Sequence, residues 1–159
     1  MEVTLLLSCE EDTIHVARSL GDILEPGDVV ALTGDLGAGK TVFCKGVGEA
    51  LGIPSGRIVS PSFTIVTEHR GRLPLSHIDV YRLSSEEEAL DIGLDEIVSG
   101  NRVCLVEWAE KIRILLPNDC IRVTFHILSG ERRRLSVEAR DDPRFGTFLS
   151  RVKHLIPGG

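Results

Sequence analysis

The segment Gly34-Asp35-Leu36-Gly37-Ala38-Gly39-Lys40-Thr41 constrains this chain more than any other stretch, because it fills the Walker A pattern G-x-x-x-x-G-K-[ST] without a gap. Its flanks suit the pattern. The apolar run Val29-Val30-Ala31-Leu32-Thr33 reads as a buried strand entering the loop, and Thr41 to Leu51 reads as a helix leaving it. Loop N–H groups and a helix N-terminus together favour a phosphate chain. Asp35, Leu36, Gly37, Ala38, Gly39, Lys40, Thr41 and Val42 are therefore the expected nucleotide-binding residues. Lys40 can reach the outer phosphates, and the Thr41 hydroxyl can ligate Mg²⁺.

The remaining composition bounds the partners. A chain of 159 residues suits one domain with a real core, so residues 1–159 are expected to form a single P-loop ATPase domain. The formal charge of −6 supplies no global attraction to nucleic acid or anionic lipid. No apolar stretch is long enough to cross a bilayer, and no secretory leader is expected. Cys9, Cys44, Cys104 and Cys120 are widely spaced and form no zinc pattern, with Cys104 and Cys120 expected as buried thiols. The expected compartment is the cytoplasm, where ATP and Mg²⁺ are both available.

Periodicity places these residues on elements. A strand is predicted over Val3 to Ser8, and a helix from Cys9 to Leu24 with Ser8 and Glu11 at capping-box spacing. Phe63 to His69 and Leu75 to Val80 read as a hairpin around Arg70-Gly71-Arg72, which puts antiparallel pairing inside an α/β domain. Ser84 and Glu87 have a second capping-box spacing, opening a helix through Leu90, and Asp91 to Val98 reads as partly helical. Arg102 to Val106 reads as a strand, Ala109 to Leu116 as a helix, Cys120 to Leu128 with Arg132 to Ala139 as a second hairpin, and Pro143 to Leu155 as a last helix. The fold class is α/β: a three-layer P-loop fold with a mixed central sheet and an antiparallel C-terminal hairpin.

Nucleotide hydrolysis also needs a carboxylate near Mg²⁺ and a group that positions the attacking water. Asp79 closes one apolar strand and Glu107 another, so both are candidate catalytic and Mg²⁺-associated acids beside Lys40 and Thr41. Their separate jobs stay open. Two-residue periodicity sets His77 on the same face as Asp79, where a structural and a catalytic role are equally open. Tyr81 and Arg82 follow as possible accessory residues, and Trp108 as a wall of the nucleotide pocket or a packing group. Ser60, Ser62, Phe63 and Thr64 occupy a switch-like position between the loop helix and the next strand. Arg132-Arg133-Arg134 reads as a solvated hairpin whose side chains alternate faces. Without an aromatic-rich basic surface, tight independent RNA binding is not expected.

No N-K-x-D guanine-reading motif occurs, which favours ATP, and no arginine-bearing lid of a small-molecule kinase is evident. GDLGAGKT at 34–41, SPSFT at 60–64, HIDVYRL at 77–83, Gly93-Leu94-Asp95-Glu96 and VEWAEK at 106–111 together closely resemble the TsaE family, the small ATPase of bacterial tRNA threonylcarbamoyladenosine biosynthesis. The resemblance spans about Glu11 to Pro117. It implies ATP and Mg²⁺ as cofactors, Lys40 and Thr41 on phosphate and metal, Asp79 as the essential acid, Glu107 as a Mg²⁺-associated glutamate, Trp108 at the nucleotide site, and Ser60 to Thr64 as the switch. It further implies TsaB-like and TsaD-like partners, tRNA contacted mainly through that complex, no membrane, and hydrolysis that resets the complex between modifications of adenosine 37 in ANN-decoding tRNAs. Ser62 stands where threonine is common in the family, Ala109 where proline is frequent, and His69 where tyrosine is often found. The alternatives are a small-molecule P-loop kinase and a nucleotide-gated scaffold without significant turnover.

Overall fold

A computed structural model describes residues 1–60 and 64–158. Within these residues seven strands form one sheet: β1 (Glu2–Leu7), β2 (Val29–Thr33), β3 (Val66–Arg70), β4 (Pro74–Asp79), β5 (Val103–Glu107), β6 (Ile121–Ile127) and β7 (Arg133–Glu138), in the spatial order β1-β7-β6-β2-β5-β4-β3. The central strands β6, β2, β5 and β4 run parallel, while β3 pairs antiparallel with β4, and β7 pairs antiparallel with both β6 and β1. Among the described residues five α-helices accompany the sheet: α1 (Glu10–Gly21), α2 (Lys40–Ala50), α3 (Glu86–Asp91), α4 (Leu94–Val98) and α5 (Arg144–Val152). The mixed sheet and the C-terminal hairpin expected from the sequence are both present.

Side-chain alternation splits the core into two layers. Val30 and Leu32 of β2, with Val103 and Leu105 of β5, pack under Val16, Leu20, Phe43, Val47 and Phe148 from α1, α2 and α5. Val29, Ala31, Cys104 and Val106 face the other way, against Ala89, Leu94, Val98 and Ile112 from α3, α4 and the segment after β5. Charge ties α5 to the turn that feeds β2. Arg144 donates to Asp28 Oδ1 at 2.9 Å and to Asp142 Oδ2 at 3.0 Å, which raises its pKa.

Several local expectations need correction. The first helix covers Glu10–Gly21 rather than Cys9 to Leu24, and Cys9 caps it with no side-chain bond. The Ser8–Glu11 box is not made; the Asp12 carboxylate instead accepts from the Ser8 amide at 2.7 Å. The second box is displaced by one residue, with Ser85 Oγ accepting from the Glu88 amide at 3.2 Å and the Glu88 carboxylate accepting from the Ser84 amide at 3.4 Å. The strand expected from Phe63 begins at Val66, because Ile65 takes a φ of 64° that extended backbone cannot contain; Phe63 itself lies outside the described residues. Ala109 to Leu115 is a 3₁₀ helix kinked at Ile112 rather than an α-helix. The last helix passes into a 3₁₀ turn at Lys153–Leu155.

Helices α1 and α2 meet through small residues. A Cβ built on Gly46 would stand 2.6 Å from Ala17 Cβ, closer than packed atoms allow, and a tight 3.1 Å from the Ile14 carbonyl oxygen. Gly46→Val is therefore expected to lower unfolding free energy by about 1–3 kcal/mol through overpacking. Urea denaturation followed by circular dichroism checks this; an unchanged midpoint would show that the helices separate without penalty.

Candidate functional site

The site is built from three adjacent strand ends and the first turn of α2. Strand β2 runs into the loop 34–39, where Gly39 has a φ of 111° that side chains disfavour, letting the chain turn directly into α2. Strands β4 and β5 lie in register, Leu75 against Val103, His77 against Leu105 and Asp79 against Glu107. Leu75, Val103 and Leu105 belong to the layer under α1 and α2. The same alternation carries His77, Asp79 and Glu107 to that face, where α2 begins. Sequence periodicity paired His77 with Asp79; the strand register adds Glu107.

Both carboxylates are withdrawn from water, Glu107 to 3% and Asp79 to 6% exposure, and each oxygen has a partner. The Thr41 hydroxyl donates to Glu107 Oε1 at 3.0 Å, and His77 Nε2 lies 2.6 Å from Glu107 Oε2. Asp79 Oδ2 accepts from the Ser60 hydroxyl at 3.0 Å, and Oδ1 from the Tyr81 amide at 2.9 Å. Glu107, Asp79 and Thr41 present hard oxygen donors to a single cavity, a set that suits Mg²⁺ with water and phosphate completing its shell.

Lys40 is 5% exposed and folds back onto its own loop. Its ammonium donates to the carbonyls of Gly34 and Asp35, the latter at 2.9 Å, and lies 4.2 Å from the centre of the Trp108 ring. Burial lowers its pKa, while the charges of Glu107, Glu110, Asp35 and Asp79 act in the opposite sense. Trp108 holds this position through an unusual backbone, with φ 61° and ψ 38° immediately after β5. Tyr81 packs against it at 4.9 Å between ring centres.

Of the residues expected at the nucleotide, Leu36, Gly37, Gly39, Lys40, Thr41, Val42 and Trp108 line one cavity of about 240 Å³, together with Ser60, Asp79 and Glu107. Asp35 is exposed and contributes its carbonyl to Lys40. Ala38 is buried and faces a second cavity of about 130 Å³ on the other side of the loop, shared with Glu10, Thr13, Gly37, Gly39, Val42, Glu131 and Arg133. Within the expected switch, Ser60 reaches Asp79, whereas Thr64 is exposed with its hydroxyl 3.4 Å from that of Thr67 and is not among the lining residues. Ser62 and Phe63 lie outside the described residues. Tyr81 and Arg82 are exposed beside the cavity rather than in its wall. His77 is fully buried behind Glu107.

The family model for the threonylcarbamoyl adenosine biosynthesis protein TsaE matches residues 7–135. The chain belongs to the TsaE family. It is 47% identical over 131 residues to the tRNA threonylcarbamoyladenosine biosynthesis protein TsaE of Bacillus subtilis (strain 168), covering 81% of this chain and 80% of that protein. It is 42% identical over 127 residues to the protein of the same name from Treponema pallidum (strain Nichols), covering 80% of this chain and 93% of that protein. Among solved structures, a crystal structure of Bacillus subtilis YdiB superposes with a TM-score of 0.78 at 37% identity, covering 97% of this chain and 96% of that one. The TsaE assignment and the three-layer P-loop fold therefore agree.

One residue at this TsaE site escaped sequence reasoning. Arg133, read as part of a solvated hairpin, donates through Nε to the Ala38 carbonyl at 3.2 Å and through a terminal nitrogen to the Gly37 carbonyl at 3.3 Å. It ties β7 to the loop that joins β2 to α2. Only the spatial order of the strands brings it there, and a run of three arginines carries no such signal. Removing one such tether releases on the order of 1 kcal/mol, so Arg133→Ala is expected to speed amide exchange at Gly37 and Gly39 several-fold while global stability changes little. Hydrogen exchange resolved by NMR or mass spectrometry measures this, and unchanged loop protection would show that the loop holds its shape unaided.

Proposed function

We propose that this chain is the Mg²⁺-dependent ATPase subunit of tRNA threonylcarbamoyladenosine biosynthesis, hydrolysing ATP to ADP and phosphate and working with TsaB-like and TsaD-like proteins. The observation that carries the reading is the convergence of Lys40, Thr41, Asp79 and Glu107 on one cavity. Family membership supplies the pathway, since the curated relatives carry it in their names.

In this reading residues 1–159 act as one ATPase domain. The loop amides of 35–39 and the start of α2 take the phosphate chain, and Val42 and Trp108 flank the nucleotide. Lys40 leaves the carbonyls of Gly34 and Asp35 and turns to the outer phosphates, exchanging neutral acceptors for charged ones. Thr41 and Glu107 would hold Mg²⁺, which would supply neutralisation of the charge that develops on the transferred phosphoryl group. Asp79, bonded through Ser60 to the switch segment, orients the attacking water or the metal's outer shell. Ser60, Ser62, Phe63 and Thr64 form that switch, and Tyr81 and Arg82 relay its state outward. Turnover is weak alone and rises when the partners bind and exclude water. Hydrolysis resets the complex between modification cycles, and tRNA is met mainly through the complex. Its place is the cytoplasm; among the described residues no helix is long and apolar enough to cross a membrane.

The test is Mg²⁺-dependent phosphate release from ATP by the chain alone and with its cognate TsaB–TsaD pair. Lys40→Ala and Glu107→Gln are each expected to cut stimulated turnover by about 10²-fold or more, the scale of losing one preorganised charge-stabilising group. Asp79→Asn is expected to lose turnover while retaining nucleotide binding. Label appearing on a small acceptor would mark a kinase, and partner binding gated by nucleotide without phosphate release would mark a scaffold. Full activity in all three variants would overturn the site.

A further inference from the structure

His77 is the one member of the strand-end group that cannot meet a substrate. It is 0% exposed, and its Nδ1 is also buried and has no hydrogen-bond partner among the described residues. Its other nitrogen, Nε2, lies 2.6 Å from Glu107 Oε2. A carboxylate oxygen accepts, so Nε2 carries the hydrogen. The opposite tautomer would bury an unpaired N–H at Nδ1 and face a bare nitrogen lone pair toward the carboxylate, which costs more than leaving an acceptor unfilled. Cys44, one turn beyond Thr41 on α2, closes the same buried pocket, with ligand atoms of Cys44, His77 and Glu107 all within 4.8 Å of one another. Burial, followed by the charges of Glu107 and Asp79, pushes that thiol's pKa well up, so it brings no charge of its own.

Glu107 is consequently gripped from two sides. Its inner oxygen is held by His77 from β4, and its outer oxygen meets the Thr41 hydroxyl at 3.0 Å. Rotation about the terminal carboxylate bond is broad in a free glutamate. Here rotation would break a hydrogen bond to a charged group in a dry pocket, among the stronger bonds a protein makes. We infer that His77 is a positioning residue: its Nε2–H fixes the Glu107 carboxylate so that Oε1 stands ready beside Thr41 for a divalent cation. This rests on the assignment of Glu107 and Thr41 to Mg²⁺. It gives His77 a task distinct from that of a general base, which would need contact with the reacting water.

The test uses Mn²⁺ as the spectroscopic stand-in for Mg²⁺ and a non-hydrolysable ATP analogue. Free Mn²⁺ is counted by electron paramagnetic resonance over the full chain and its variants. His77→Leu removes the donor while filling the space, and is expected to weaken Mn²⁺ binding by about 10–100-fold, as loss of an outer-shell partner does. His77→Gln, whose amide nitrogen stands near the place of Nε2, is expected to recover most of that loss. Analogue binding in EDTA should be unchanged in both, and phosphate release should show a raised Mg²⁺ requirement with kcat largely restored at saturating Mg²⁺. Glu107→Gln separates the two layers of the argument. If it leaves Mn²⁺ affinity intact, the metal assignment beneath the inference is wrong. If it weakens Mn²⁺ while His77→Leu does not, the positioning role alone is overturned. Equal weakening in His77→Leu and His77→Gln, accompanied by equal drops in melting temperature, would reduce His77 to core packing and likewise overturn it.

Discussion

The hydrogen bond between the Thr41 hydroxyl and the Glu107 carboxylate joins the first turn of α2 to the end of a central strand. Most of the site depends on that junction. It can form only because β2 and β5 are neighbours in register, with Leu32 opposite Glu107, so that the loop leaving β2 returns over the end of β5. Strand β4 on the far side of β5 then adds His77 and Asp79. A glutamate so enclosed would be an uncompensated buried charge without these neighbours. The burial that makes it demanding to accommodate also makes it effective toward a cation, because little water competes for its oxygens.

Strain gathers around the same place. Two non-glycine residues with positive φ among the described residues, Ile65 and Trp108, border the strand ends that build the site. Each such residue costs on the order of 1–3 kcal/mol. Trp108 gains the Lys40 ammonium over its ring and Tyr81 against its side. Ile65 turns its carbonyl to the Asp79 amide at 2.8 Å, fixing the backbone that carries this carboxylate. The strained residues thus sit where direction matters more than local comfort.

Much of this was legible in the residues. The strand, glycine-rich loop and helix around 29–51 announced themselves by composition, and alternation alone put His77 and Asp79 on one face. The hairpins around residues 71 and 130 followed from turn chemistry between apolar runs. The helix starts were harder. Serine three residues before glutamate occurs at Ser8 and at Ser84, yet the carboxylates of Asp12 and Glu88 take the amides instead, because competing acceptors one residue away have the same chemistry. The segment after Trp108 has helical composition, but a left-handed residue at its start and a kink at Ile112 tighten it into 3₁₀ geometry. Arg133 lay beyond reach, since nothing near it in sequence hints at the loop it touches. The grip of His77 on Glu107 required a register between strands separated by two helices.

The order of the strands also shapes how the molecule comes into being. Among the described residues strand β1 pairs only with β7, Glu2 opposite Glu138, so β1 must wait for a strand made much later. Arg133, which steadies the loop at 37–38, belongs to that same late strand. On a ribosome, β2, the loop and α2 emerge long before their tether, and closure over such a sequence separation is slow. The glycine-rich loop is therefore assembled early and fastened late: a chain still being translated carries the residues of the candidate site without the strap that holds them, and synthesis of the β6–β7 hairpin becomes the step that fastens it.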